Sequence, residues 1–153
     1  MAGLIYDVDI PALSLPAGVS TVVGWITAPV NQRINIRGYK FSFDMTVFGL
    51  PPIVISLSRN NSSLGTLTTG GYANLLKPGL PEVPRSTFGL SASVQPTIPA
   101  SLVYKTFTVQ GYASDEYIAP YEEWIDVAGG WTWIAQAFSQ DIVNVRGSFR
   151  VEE

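Results

Sequence analysis

Ile34-Asn35-Ile36-Arg37-Gly38-Tyr39-Lys40-Phe41-Ser42-Phe43-Asp44 alternates apolar and polar residues with a period of two. That period belongs to a strand with one face on a core, because successive side chains of an extended backbone point to opposite sides. The phase changes once. Ile34 and Ile36 sit on even positions, whereas Tyr39, Phe41, Phe43, Met45 and Val47 sit on odd ones. A single glycine at such a change reads as a β-bulge, and two separate strands meeting at Gly38 would give the same pattern.

The period continues on either side. Val143, Val145, Phe149 and Val151 alternate with Asn144, Arg146, Ser148 and Arg150, and Gly147 fills the remaining core-facing position. Leu4, Tyr6, Val8 and Ile10 alternate with Ile5, Asp7 and Asp9 until Pro11, which ends the run. Ser20 to Thr27 is β-branched and aromatic, closed by Ala28-Pro29 and a turn at Asn31-Gln32. Ile53, Ile55 and Leu57 make a half-buried strand after Gly49-Leu50-Pro51-Pro52. In Leu102 to Gln110, Val103, Phe107 and Val109 share one face with Lys105. A short strand over Glu122 to Val127 and a turn at Gly129-Gly130 lead into a strand over Trp131 to Phe138. No stretch of ten residues carries a helical period. About eight strands separated by turn signals predict an all-β fold: a single-domain, jelly-roll-like antiparallel β-sandwich over residues 1–153.

Residues 60–101 differ in texture. They are rich in Gly, Pro, Ser and Thr, with Gly70-Gly71 and prolines at 78, 81, 84, 96 and 99. A structureless loop of that length is uncommon inside a compact domain. The segment therefore reads as extended, proline-stiffened pieces lying over the body, with Thr87 to Val94 pairing.

Composition narrows the chemistry. At 153 residues a chain can bury roughly 70% of its unfolded surface. The hydrophobic share is 46% and the charged share 14%, so much of the surface is neutral or apolar, as on proteins covered by partners. There is no cysteine and no histidine, which removes disulfides, thiolate nucleophiles, Cys/His zinc sites and imidazole bases. A net charge of −3 argues against a nucleic-acid partner. No apolar window is long enough to span a membrane. Asp7 and Asp9 interrupt any leader-like core, so the expectation is a chain made in a cytoplasm and used unprocessed.

Three constellations bear on chemistry. Lys40, Lys77 and Lys105 sit in no nucleophile–base motif, and Lys40 and Lys105 read as lying on a solvated face. Asp115-Glu116 and Glu122-Glu123 flank the aromatic segment 117–121, which supplies the ingredients of a glycosidase. The blander reading, an acidic turn before a strand, is preferred, since adjacent carboxylates on an extended chain face opposite ways. Trp131 and Trp133 share a face with Ala135 and Ala137, a row that suits a core, an interface or a sugar platform. Trp25 reads as core, and Glu152-Glu153 as a solvated strand end. No catalytic, metal or cofactor residue is expected. The candidate protein-interface residues are Leu4, Ile5 and Tyr6 of a terminal strand or arm (1–11), with Tyr117, Tyr121 and Trp124.

Three segments also carry a family likeness. Asn31 to Asp44 resembles a strand of small structural proteins of tailed-bacteriophage particles. Leu80-Pro81-Glu82 through Gln95-Pro96-Thr97, followed by Leu102–Val109, has a similar order of features, and Ile142 to Glu153 is similar to that group's closing strand and acidic end. The resemblance implies a jelly-roll decoration (cement) protein on the capsid surface of the virion. It further implies a homotrimer that contacts the major capsid protein and has no enzymatic activity. The alternative on the same fold is a carbohydrate- or receptor-binding module of a tail or fibre, or another tail or baseplate part.

Overall fold

A computed structural model describes residues 3–44, 49–62, 64–76, 83–111, 114–118, 120 and 123–153, with the backbone alone at 114 and 115. Its strands are β1 (Ile5–Leu15), β2 (Thr21–Thr27), β3 (Ile34–Asp44), β4 (Ile53–Asn60), β5 (Thr66–Thr68), β6 (Tyr72–Leu75), β7 (Thr87–Gly89), β8 (Ser91–Val94), β9 (Val103–Val109), β10 (Ser114–Ile118), β11 (Ile125–Val127), β12 (Thr132–Phe138) and β13 (Val143–Glu152). The only helical element among the described residues is one 3₁₀ turn, Ala100–Leu102.

Two antiparallel sheets face each other. The first runs β10-β3-β13-β1-β6, with β11 continuing the β10 edge of β3, and the second runs β7-β2-β12-β4-β9. Leaving aside β5 to β8 and taking β10 and β11 as one strand, eight strands remain. In chain order the sheets then read sixth-third-eighth-first and second-seventh-fourth-fifth, which is the double Greek-key wiring of a jelly roll. The fold expectation holds.

Tyr6, Val8, Ile36, Phe41, Ile55, Leu57, Trp133, Ala135, Phe149 and Val151 meet between the sheets with no solvent exposure. At the centre, Trp133 and Phe149 cross the gap with ring centroids 5.1 Å apart and planes tilted by 51°. The row Trp133, Ala135 and Ala137 therefore faces the core, one large residue followed by two small ones against which the opposite sheet packs.

Bulges set the phase of several strands. β3 is one continuous strand, and Arg37 is its extra residue: Arg150 pairs with Gly38 and Val151 with Ile36. A Cβ on Gly38 would stand 2.5 Å from the Tyr117 carbonyl oxygen, so the bulge needs glycine where β10 passes. β1 does not stop at Pro11. It continues to Leu15 through a bulge at Pro11-Ala12, where the ladder does not need the missing N–H. In β2 the extra residue is Val23, which lets Val23 and Ile26 face the sandwich core while Val22 and Trp25 face away. In β9 it is Tyr104, so Val103 leaves the face shared by Lys105, Phe107 and Val109.

Residues 60–101 lie over the body as expected and do two things. β6 and β7 add one edge strand to each sheet on the same flank. β5 and β8 form a ribbon over the outer face of the second sheet, where Leu64, Leu67, Ala92 and Ile98 cover Val22, Trp25 and Ile134. Trp25 is thus buried, but in this second cluster. The Trp25 indole N–H donates to Ser91 O at 3.2 Å, the Val22 N–H donates to Gln95 Oε1 at 2.8 Å, and Gln136 Nε2 donates to Pro96 O at 3.3 Å.

Candidate functional site

The terminal strand is not a free arm. β1 lies between β13 and β6, so its backbone is paired on both sides over Tyr6–Asp9. Tyr6 has no exposure and its hydroxyl donates to Glu153 Oε2 at 3.1 Å, with burial as the main cause of its raised pKa. It is a core residue and no interface anchor. Leu4 is half-buried and exchanges backbone hydrogen bonds of 2.8 Å with Glu153. Glu153, in turn, is no solvated end. Its carboxylate also accepts from the Arg85 N–H at 2.9 and 3.1 Å and from the Ser86 N–H at 3.4 Å, which fastens the long segment to the closing strand.

Ile5 points the other way, onto the outer face of the first sheet. There Ile5, Leu76, Ile118 and Trp124 surround the guanidinium groups of Arg37 and Arg150 in a depression of about 190 Å³. Ile118 is 70% exposed and Leu76 44% exposed. Arg37 is aimed here by its bulge and lies 4.1 Å from the Trp124 ring centroid, a cation–π contact. Arg150 is held by two parallel bonds to Asp7, of 2.8 and 2.9 Å. Two sequence candidates distant in the chain, Ile5 and Trp124, are therefore neighbours. Ile118, Leu76 and Arg37 complete the surface, and reading the chain strand by strand did not single them out.

Tyr117 belongs to a strand the sequence did not reveal. β10 covers the stretch read as an acidic turn and pairs with β3, Tyr117 opposite Tyr39 and Glu116 opposite Lys40. The Tyr117 ring closes the flank of the sandwich, 5.4 Å from Tyr39, and Lys105 reaches across from β9 to place Nζ 4.1 Å over it. Lys105 is therefore half-buried in an aromatic cage, not on a solvated face. The Tyr117 hydroxyl donates to Glu123 Oε2 at 2.5 Å. That bond, with some desolvation and the carboxylate's charge, pushes its pKa up to about 12. Tyr121 and Glu122 lie outside the described residues.

Beside this cage runs a groove of two joined lobes, each of about 320 Å³, which share Arg59, Tyr104 and Asp126. Tyr117, Trp124, Lys105 and Glu123 line one lobe, and Trp131 lines the other. Tyr104 is the extra residue of its bulge: the residue is 37% exposed, while its hydroxyl turns inward and accepts from the Trp133 indole N–H at 2.8 Å. Arg59 lies 5.3 Å from the Tyr104 ring centroid and donates to Asp126 O at 2.9 Å, and Arg33 donates to the Asp126 carboxylate at 3.2 Å. Among the described residues no group of three His, Cys, Asp or Glu side chains could hold a metal ion, and no helix is long and apolar enough to cross a membrane.

The geometry defines an all-β jelly-roll domain that presents a surface of aromatic, aliphatic and arginine side chains beside an aromatic groove. Comparison of the chain with known protein families, characterised proteins and solved structures gives no match.

Proposed function

We propose that the chain is a structural protein of a tailed-bacteriophage particle, a head decoration protein that docks on the assembled shell and braces neighbouring major capsid subunits. The observation that carries this reading is the outer face of the first sheet. Ile5, Leu76, Ile118 and Trp124 gather there around two arginines whose carboxylate and ring partners lie within the same chain. Tryptophan and arginine in such a setting are the residues that dominate protein–protein binding energy, and pre-paired arginines lose little freedom on docking. The segment resemblance from Asn31 to Asp44 and from Ile142 to Glu153 supports the particle assignment. Many copies on a repeating shell add weak contacts into firm attachment, and a homotrimer would present three such faces together.

The test is direct. Purified protein added to undecorated heads should bind and raise the temperature at which they open, because a ligand of the assembled shell stabilises it by mass action. Ile118→Asp should abolish binding while leaving the protein's own melt unchanged. Full-length protein that neither binds heads nor shifts their melting overturns the reading and leaves a tail or receptor-binding role in its place.

A further inference from the structure

The groove on the open flank has a chemistry that the docking face does not need. Its charged groups come in both signs, Arg59 and Lys105 against Glu123 and Asp126, and sum to no net charge. Its walls are rings. Tyr104 stands at the junction of the lobes, with Trp124 in one and Trp131 in the other. The polar groups are held in place yet keep unused valence. Glu123 commits Oε2 to Tyr117, which leaves Oε1 as an acceptor, and Arg59 commits one nitrogen to a backbone carbonyl, which leaves further donors. Tyr104 accepts from Trp133 and keeps its own hydroxyl hydrogen to donate.

We infer that this groove is a binding site for a neutral oligosaccharide chain. A pyranose ring has an apolar face that lies on an aromatic side chain and a rim of hydroxyls. Each hydroxyl both donates and accepts, so one sugar satisfies a carboxylate and a guanidinium together. A net-charged glycan would favour one sign of the groove and oppose the other, and a purely apolar ligand would cover the remaining donors and acceptors of Arg59 and Glu123 without pairing them. Each lobe falls at the lower end of the volumes of small-molecule sites, and two joined lobes fit a chain better than a single ring. The sequence offered the row of Trp131 and Trp133 as a core face first, with an interface or a sugar platform as alternatives. Trp133 is buried, and Tyr104, the extra residue of the β9 bulge, lines the groove in its place. The inference goes beyond the docking role: groove and docking face share Trp124 alone among the residues that line both.

Titration of the full chain with neutral malto-, cello- and chito-oligosaccharides of one to six units, followed by calorimetry and tryptophan fluorescence, tests it. At least one neutral series should bind, with affinity rising from one unit to several. Arg59→Gln and Trp131→Ala should each weaken binding roughly tenfold or more. Tyr104→Phe should weaken it less, since the ring remains. Ile118→Asp should leave sugar binding unchanged while it removes head binding, so failure of either reading is visible separately. The inference is overturned if no neutral series binds, if sulfated or sialylated chains bind more tightly than neutral ones, if a proline-rich peptide takes the groove instead, or if the Arg59 and Trp131 variants bind sugar as well as the parent chain.

Discussion

The two flanks of the sandwich start from the same wiring and end differently. On one side β1 and β2 would be the edges, and the long segment supplies β6 to cover the first and β7 to cover the second. Glu153 then fastens the residues that lead into β7. On the other side β9 and the β10/β11 pair are left as edges, and the gap between them is bridged by side chains: Lys105 over Tyr117, Tyr39 stacked on Phe107 at 5.7 Å, and Arg59 donating to Asp126 O at 2.9 Å. Backbone pairing closes the first flank and side-chain contacts close the second. A ladder satisfies obligatory hydrogen-bonding groups and resists opening, whereas a bridge of long cations over rings leaves polar valence for a ligand. The difference separates a flank closed by main-chain pairing from one closed by side chains alone.

The largest effect should come from the closed flank. Deleting residues 1–10 removes Tyr6, Val8 and Ile10, all buried, and strips β6 and β13 of a partner. Each large core side chain is worth about 2–5 kcal/mol, so three together reach the whole stability of a domain, about 5–15 kcal/mol. The truncated chain should show no cooperative melt. A folded truncation that merely fails to bind its partner would break the comparison, because it would make β1 an arm after all.

Next come two tryptophans that separate the layers. Trp133→Ala empties the centre of the sandwich and should cost about 3–5 kcal/mol, lowering the thermal midpoint of the whole domain. Trp25→Ala empties the smaller cluster under the β5/β8 ribbon and should cost less, about 2–3 kcal/mol, with a local signature. Amide exchange should quicken at residues 91–98 and hold steady in β13. Equal loss of protection in both places would mean that the covering segment and the sandwich unfold as one unit.

The pattern of what the sequence disclosed follows the same division. Period-two alternation marked β1, β3, β4, β9 and β13, because each has one face on the core, whereas β2, buried on both faces, was marked by its β-branched and aromatic residues and β12 by its row of Trp133, Ala135 and Ala137. It failed at β10, whose Asp115, Glu116 and Ile118 show no apolar alternation, since an edge strand over a half-open flank has one face in water and the other in a cage of rings. The bulge at Gly38 was legible from the phase change. The one at Tyr104 was not, because Val103, Lys105, Phe107 and Val109 keep an unbroken alternation on paper while the backbone slips by one residue. That slip placed the residue that joins the two lobes of the groove. Ile5 and Trp124 were legible as surface candidates, but their meeting with Leu76 and Ile118 depends on four strand pairings, β6–β1, β1–β13, β13–β3 and β3–β10, that no local pattern encodes.

The smallest effect in stability, and the sharpest test of the open flank, lies in Tyr117 and Glu123. In the folded chain the Tyr117 hydroxyl keeps its proton up to about pH 12, whereas an unfolded tyrosine releases it near pH 10. The folded state therefore holds more protons between those values, so its stability is intact below pH 10 and falls as pH rises toward 12. Tyr6 and Tyr104, also raised, act with the same sign. Glu123→Gln keeps a hydrogen-bond acceptor but removes the charge that opposes ionisation. At neutral pH the exposed substitution should change stability by no more than about 0.5 kcal/mol. On alkaline titration the phenolate absorbance of one tyrosine should appear earlier than in the parent chain, shifted from near 12 back toward 10. The alkaline loss of stability should then be shallower, because one of the groups that drives it now titrates closer to its unfolded value. Glu153→Gln is the control on the opposite flank: that carboxylate bonds to two backbone N–H groups and the buried Tyr6, so its loss should lower the melting point at neutral pH. If Glu123→Gln lowers the neutral melting point as much as Glu153→Gln does, the open flank is as structural as the closed one. If instead the titration of Tyr117 stays near 12 without the carboxylate, some other neighbour holds the phenol, and the groove's polar wall is not arranged by Glu123.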